Sequence, residues 1–441
     1  MQSSSMQHPP IVLEGYRNLH YEIREIVDFG HALQRMGRPI TWENIGDPVA
    51  AGEKVEPWVK EIVADLVAND ERSFAYCPSR GVLATREFLA DKANERPGGT
   101  RVEPDDILFL NGIADGVDKI YDLMKKDARV LMPSPSYPTH TSNEGKRGDY
   151  PHLQFRLDPA AGWLPDLEEI ENKVRYNPQV VAIALVNPDN PTGAVYPRKT
   201  LEGIVAIARK YGLFVICDEI YCNIVFNGVE KVHLSQVLGN DVPGLALRGL
   251  SKDVPWPGAR CGWIEMLNRK ASPAFNEYCG VLVKSKMMEV CSTTLPQMAL
   301  PRIYGDPRWP ALKARRAKMF EARANQVYGY FRTVPGVIAR PVHGAFYYAV
   351  TFEDGVLEPG QSLPIADPAV RAFVEKSNEG VAPDKRFVQY MMGADGVCVT
   401  PLTGFHTDLN GFRITLLNPD DAERARTLER IGSCIRAYIG A

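Results

Sequence analysis

Between about residues 105 and 265, short apolar runs alternate with segments whose apolar residues recur at helical spacing. The runs are Ile107 to Leu110, Val130 to Pro133, Val180 to Val186, Leu213 to Cys217, Leu245 to Leu250 and Trp263 to Met266. Their near-continuous apolar character predicts strands buried on both faces. Between two of them, Leu201, Ile204, Val205 and Ala208 predict a crossover helix over about Pro197 to Tyr211. The alternation predicts an α/β fold with a mostly parallel sheet covered by helices on both faces. After about residue 300 the pattern changes to a long charged helical stretch, Lys313 to Arg332. Gly344-Ala345-Phe346-Tyr347-Tyr348 and further strand-like pieces follow, as expected of a smaller α+β domain. The Pro/Gly-rich section near Glu358 to Pro368 reads as a surface insertion, and no internal repeat or low-complexity tract interrupts the chain.

Composition narrows the function. The 441 residues can bury a large core in two domains, and 45% hydrophobic and 24% charged content with a net charge of -3 describe an ordinary soluble protein. No global basic field recruits nucleic acid or an anionic membrane, so the expected partners are small molecules or further copies of the chain. The eight cysteines lack zinc-site spacing and disulfide-scaffold density, so reduced thiols and no metal site are expected. Met1 to Pro10 has neither a basic n-region nor an apolar h-region, and no run approaches the roughly 18 apolar residues of a bilayer span. A cytoplasmic location is expected.

The polar clusters fall just after the carboxyl ends of the expected strands, the edge at which open α/β sheets bind ligands. Asn111-Gly112-Ile113-Ala114-Asp115-Gly116 is a glycine turn opening a helix, either a plain connection or a source of N–H groups for a phosphate. In Pro133-Ser134-Pro135-Ser136-Tyr137-Pro138, Tyr137 either anchors a loop or stacks on a planar ring. Asn187-Pro188-Asp189-Asn190-Pro191-Thr192-Gly193 is a conformationally restricted loop, either a purely structural turn or one that holds something in place through the Asn190 amide. Asp218, in Asp218-Glu219-Ile220-Tyr221, is either a helix cap or a buried carboxylate that needs a cationic partner such as a pyridinium nitrogen. Gly249-Leu250-Ser251-Lys252 supplies an amine, and Arg260 a guanidinium suited to phosphate.

In this order and spacing the motifs resemble those of fold-type I, pyridoxal phosphate-dependent aminotransferases of class I/II. The resemblance runs from Asn44-Ile45-Gly46-Asp47-Pro48 to Arg413. Through Tyr76-Cys77-Pro78-Ser79-Arg80-Gly81 and the Asn190 and Lys252 motifs, the chain is most similar to the alanine (glutamate-pyruvate) branch. The resemblance implies a seven-stranded-type large-domain sheet. It also implies an N-terminal arm over 1–20, a small domain over 21–55 and 305–441, and a cofactor domain over 56–304. The implied cofactor is pyridoxal 5′-phosphate. Lys252 becomes the Schiff-base and proton-transfer residue, Asp218 the partner of the ring nitrogen, and Asn190 and Tyr221 the holders of the ring oxygen O3′. Tyr137 stacks on the ring, and the Ile113 and Ala114 amides, Ser251 and Arg260 hold the phosphate. Tyr76 reaches the phosphate of a neighbouring subunit, which implies a homodimer with shared sites. Arg413, Gly46 and Asn190 receive the substrate α-carboxylate. Tyr21 and Arg24 face the substrate side chain, Arg24 being either the reader of a distal carboxylate or a surface arginine. Cis peptide bonds are implied at Ser134-Pro135 and Asn190-Pro191.

Two features depart from the resemblance. Gly249 stands where many relatives carry a phosphate-binding serine, and Asp253-Val254-Pro255-Trp256-Pro257 replaces an aromatic and basic pair, with Trp256 either lining the entrance or anchoring the loop. His140 and His406 read as supports beside the site. The expected activity is ping-pong transamination between an amino acid and a 2-oxo acid of the pyruvate or 2-oxoglutarate type. The alternatives are a lyase or decarboxylase on the same scaffold, and a cofactor-binding regulator without turnover.

Overall fold

The computed structural model describes residues 11–12, 14–19, 21–147 and 151–441; Met1 to Pro10 lie outside the described residues. Its centre is an eight-stranded sheet. In spatial order the strands are Ile107–Leu110, Gly262–Leu267, Gly244–Gly249, Phe214–Asp218, Val180–Val186, Arg129–Ser134, Gln154–Asp158 and Leu164–Pro165. The five from Gly244–Gly249 through Gln154–Asp158 run parallel. Gly262–Leu267 is antiparallel to both neighbours, as is the terminal two-residue strand to its single neighbour.

All six expected strands form within a residue or two of the expected bounds. Ile183 and Leu185 pack on one side against Leu201, Ile204 and Val205 of helix Arg198–Tyr211. Ala182 and Ala184 pack on the other side with Val117 and Ile120 of helix Ile113–Asp122 and Leu282 of helix Pro273–Met287. Burial on both faces is why these strands read as unbroken apolar runs. The two strands at the far end of the sheet from Ile107–Leu110, absent from the expectation, have the opposite cause. Gln154–Asp158 alternates buried and exposed residues, so it shows the period-2 pattern of a strand with one wet face. The sheet therefore exceeds the expected seven strands by the short Leu164–Pro165 rim.

The chain after residue 330 builds a four-stranded antiparallel sheet in the order Val337–Ile338, Tyr347–Phe352, Gly411–Thr415, Thr400–Pro401. Phe352, Phe387, Phe412, Ile431 and Ile435 form its core, together with Ile26 and Leu33 of helix Glu22–Arg35. Helix Trp309–Phe331 joins the two bodies: Trp309 and Leu312 pack in the large-sheet core, Phe320, Val327 and Phe331 in the second. The section near Glu358 to Pro368 carries no strand or helix before Pro368, the first residue of helix Pro368–Ser377. It is pinned to the surface by the buried Leu363 and Ile365.

Candidate active site

A cavity of about 420 Å³ opens at the carboxyl edge of the large sheet, where strands, the second sheet and the start of helix Glu22–Arg35 meet. Its lining includes Tyr21, Arg24, Gly46, Ile113, Ala114, Tyr137, Asn190, Asp218, Tyr221, Ser251, Lys252, Arg260 and Arg413. These residues span nearly 400 positions of sequence, and the topology alone brings them to one place. Tyr76 is the exception. It is 84% exposed and does not line the cavity of its own chain.

The phosphate end is shaped by missing side chains. Gly112 has φ +83, and a Cβ there would lie 2.6 Å from Arg260 Nη2. A Cβ on Gly262 would lie 3.0 Å from the Ile113 amide nitrogen. Glycine at both positions lets the turn, the guanidinium and the strand approach one another, with the N-terminus of helix Ile113–Asp122 lining the cavity, a geometry suited to an anion. The turn is held from behind by Asp115, whose Oδ2 accepts from the Asn111 amide at 2.9 Å. Gly249 has a structural reason as well. A Cβ there would sit 2.9 Å from the Cys261 carbonyl oxygen, so a serine would need the adjacent strand to shift.

Asp218 is buried at the end of its strand, with Oδ1 accepting from the Ile220 amide at 3.0 Å. His140 Nε2 lies 3.5 Å from Oδ2, and His140 Nδ1 lies 3.2 Å from the Tyr121 hydroxyl. His140 thus supports the carboxylate from behind. Lys252 Nζ donates to the Gly46 carbonyl at 2.5 Å. Burial is the main reason its amine falls from 10.5 to about 8. Asp47 and Asp218 oppose that fall, while Arg413 and Arg260 add to it. A lysine poised near neutrality can serve as both nucleophile and base.

Arg413 is almost fully buried, with Tyr347 4.4 Å and Phe405 4.9 Å from the guanidinium carbon. Nη1 donates to Asn190 Oδ1 at 3.1 Å, and Nη2 donates to the Asn44 carbonyl and to Thr400 Oγ1. Nε has no partner among the described residues. A planar donor fork held rigidly, with a donor left over, suits a carboxylate. Tyr21 and Tyr137 also line the cavity, their hydroxyls 3.2 Å apart, and Arg24 is exposed at its rim.

The expected cis bonds at Ser134-Pro135 and Asn190-Pro191 are present, and a third occurs at Asn187-Pro188. Trp256 does not line the cavity and packs instead against the large core. The Asp253 side chain points away, accepting from Asn223 Nδ2. Two site residues escaped the sequence reading. Asp47 shares the Asn44 to Pro48 motif but showed no individual signal. Tyr347 sat in an aromatic run in which strand alternation could not say which ring faced the cavity.

The donor set fits a phosphorylated pyridine aldehyde: an amine for the aldehyde, a carboxylate for a protonated ring nitrogen, and a helix N-terminus with an arginine for the phosphate. Fold and site together define a pyridoxal phosphate-dependent aminotransferase. The chain belongs to the aminotransferase class I and II family, whose model matches residues 44–431. It is 49% identical to an uncharacterized aminotransferase of Methanocaldococcus jannaschii over 93% of this chain and 95% of that protein. It is 28% identical to the alanine aminotransferase of Mycobacterium tuberculosis strain H37Rv over 95% and 91% of the two chains. The structure of an alanine aminotransferase from Pyrococcus furiosus superposes with a TM-score of 0.82 at 24% identity, covering 96% of this chain and 99% of that one.

Proposed function

We propose that the protein moves an amino group between an amino acid and a 2-oxo acid of the pyruvate or 2-oxoglutarate type, in two half-reactions of a ping-pong cycle. The observation that carries this reading is the convergence of Lys252, Asp218, Arg260 and Arg413 on one cavity. Pyridoxal 5′-phosphate, when bound, supplies an electron-accepting ring through which an amine and a carbonyl are exchanged. Lys252 is the amine that holds it covalently. With the cofactor and substrate bound, its Nζ would be the base that accepts the substrate α-proton and the acid that gives that proton back to complete the exchange.

Asp218 keeps the ring nitrogen protonated, Asn190 and Tyr221 hold the ring oxygen, and Tyr137 covers the ring face. The Ile113 and Ala114 amides, Ser251 and Arg260 bind the phosphate. Arg413, with Asn190 and Gly46, orients the α-carboxylate, which aligns the α-proton with Lys252. Tyr21 and Arg24 meet the substrate side chain, Arg24 reading a distal carboxylate. We place the small domain at 21–55 and 305–441, the cofactor domain at 56–304 and an arm at 1–20, with the protein acting in the cytoplasm.

The unit is a homodimer in which Tyr76 completes the partner's phosphate site. Its support is an exposed apolar group at Phe74, Tyr76, Met287, Met288 and Val290. Their two segments are tied together by Thr294 Oγ1 donating to the Ala75 carbonyl at 2.7 Å and by the Cys77 thiol donating to the Ser292 carbonyl. Single-turnover spectroscopy tests the function. Glutamate or alanine alone converts the bound cofactor to its amine form and releases one equivalent of 2-oxo acid. Release of ammonia or carbon dioxide without amine retention overturns the reading.

A further inference from the structure

Tyr347 sits where three parts of the site meet. It begins the strand Tyr347–Phe352, is buried, and places its hydroxyl 3.1 Å from that of Tyr221. Its ring lies 4.4 Å from the guanidinium carbon of Arg413. Its oxygen also presses on Gly46, where a Cβ would fall only 1.9 Å away. Gly46 in turn gives its carbonyl to Lys252. One phenol therefore touches the tyrosine at the ring oxygen, the carboxylate clamp and the segment that holds the lysine.

We propose that Tyr347 is a positioning residue: the second hydroxyl of a two-member chain that orients and polarises the Tyr221 proton toward the cofactor ring oxygen. This rests on the aminotransferase reading of the site. The argument is one of proton counting. A hydroxyl has a single proton to donate and two lone pairs to accept with. In the structure the Tyr221 hydroxyl donates to that of Tyr347, an arrangement that leaves no proton for an anionic ring oxygen. When that anion draws the Tyr221 proton, Tyr347 donates to Tyr221 in its place. Each bond in such a chain strengthens the next. Burial keeps the Tyr347 hydroxyl in its protonated, donating form. The same contacts explain the glycine at 46, because any side chain there would displace the oxygen that serves Tyr221.

The test uses the holoenzyme and reads the pH titration of the visible absorption of the lysine-linked cofactor, together with thermal stability. Tyr221→Phe is the reference and raises the apparent pKa by roughly one unit or more, because the ring oxygen loses its charge-assisted donor. Tyr347→Phe, which preserves the ring against Arg413, raises it by roughly a few tenths of a unit through lost polarisation. A titration unchanged in Tyr347→Phe but shifted in Tyr221→Phe overturns the role of Tyr347 and leaves the reading of the site standing. No shift in either variant removes Tyr221 from the ring oxygen, and with it the underlying assignment. A second measurement does not depend on the single variant. Gly46→Ala weakens cofactor retention, and adding Tyr347→Phe restores part of it by removing the oxygen at 1.9 Å. Absence of that rescue sinks the proposed packing of Tyr347 on Gly46.

Discussion

Asp218 and Glu219 are consecutive, both are buried, and they face two differently organised collections of charge. Asp218 shares its side of the sheet with Ile216 and Tyr121 and looks into the cavity. Glu219 turns to the other side. Its Oε2 accepts from Arg248 and lies 2.7 Å from His233 Nδ1, and its Oε1 accepts from the Leu234 amide at 2.6 Å. Arg248 Nε continues to Glu265 at 3.1 Å, and Glu265 is held bidentately by Arg96 at 2.7 and 2.9 Å. Burial alone would raise both carboxyls, yet Arg248 and its neighbours hold Glu219 far below its ordinary value and Glu265 at about 2. Burial and Arg248 pull His233 to about 3, so it is neutral at physiological pH. Glu219, Cys222 and His233 bring ligand atoms within 4.8 Å of one another, but the Arg248 guanidinium already lies among them.

The cavity shows the contrasting arrangement. Arg24, Lys252, Arg260 and Arg413 face it against Asp47 and Asp218. Burial depresses Lys252 and Arg413 because nearby anions do not fully compensate them. The Glu219 network balances its own charge and ties the ends of three strands together. The cavity carries surplus positive charge, which suits a phosphate and a substrate carboxylate. Two adjacent acids thus belong to a support and to a site, and charge balance separates them.

The largest test of that separation is Lys252→Ala. It abolishes the visible absorption of the lysine-linked cofactor and lowers turnover by roughly 10⁴-fold or more, while the unfolding transition stays near that of the wild type. Mixed with Tyr76→Ala, it regains activity, because one hybrid site has both residues intact; failure of that complementation breaks the shared-site dimer. Arg248→Met is the complementary test. It leaves the buried Glu219 without its guanidinium and Glu265 with Arg96 alone, and destabilises the fold by roughly 3–5 kcal/mol in denaturant titration. The cofactor spectrum of the molecules that remain folded is unchanged, and a spectral change would erase the distinction between support and site.

The smallest effect is on pH dependence. With its folded-state value lowered to about 8, Lys252 loses its proton before the unfolded chain does. Between about pH 8 and 10.5 the unfolded state binds more protons, so stability of the cofactor-free protein rises with pH in that window. Relative to Lys252→Met, the wild type is therefore at its greatest disadvantage below about pH 8, and the gap narrows toward pH 10.5. Urea titrations at about pH 7 and about pH 9.5 check this, and a gap independent of pH contradicts it.

The legible part of the protein has a common cause. Strands such as Val180–Val186 announce themselves because both faces are dry, and the glycine, proline and charged residues at their ends must be where a ligand can use them. Gln154–Asp158 escaped an expectation built on continuous apolar runs, because with one wet face it alternates polar and apolar residues over only five positions. Lys252, Asp218, Asn190, Arg260 and Arg413 could be singled out by residue type, position after a strand and motif order. Tyr347 could not, since nothing in Phe346-Tyr347-Tyr348 tells which hydroxyl meets Tyr221 and which meets the Arg340 carbonyl, as that of Tyr348 does at 2.7 Å.

The amino-acid sequence by itself determined the elements, their burial and the chemical types available at the sheet edge, because periodicity and backbone restriction act over a few residues. Only the tertiary structure decided which charges are neutralised and which are left facing a cavity. That depends on partners more than a hundred residues apart in sequence, such as Lys252 with Gly46, Tyr221 with Tyr347 and Arg413 with Asn190, whose encounters chain topology sets and local sequence does not encode.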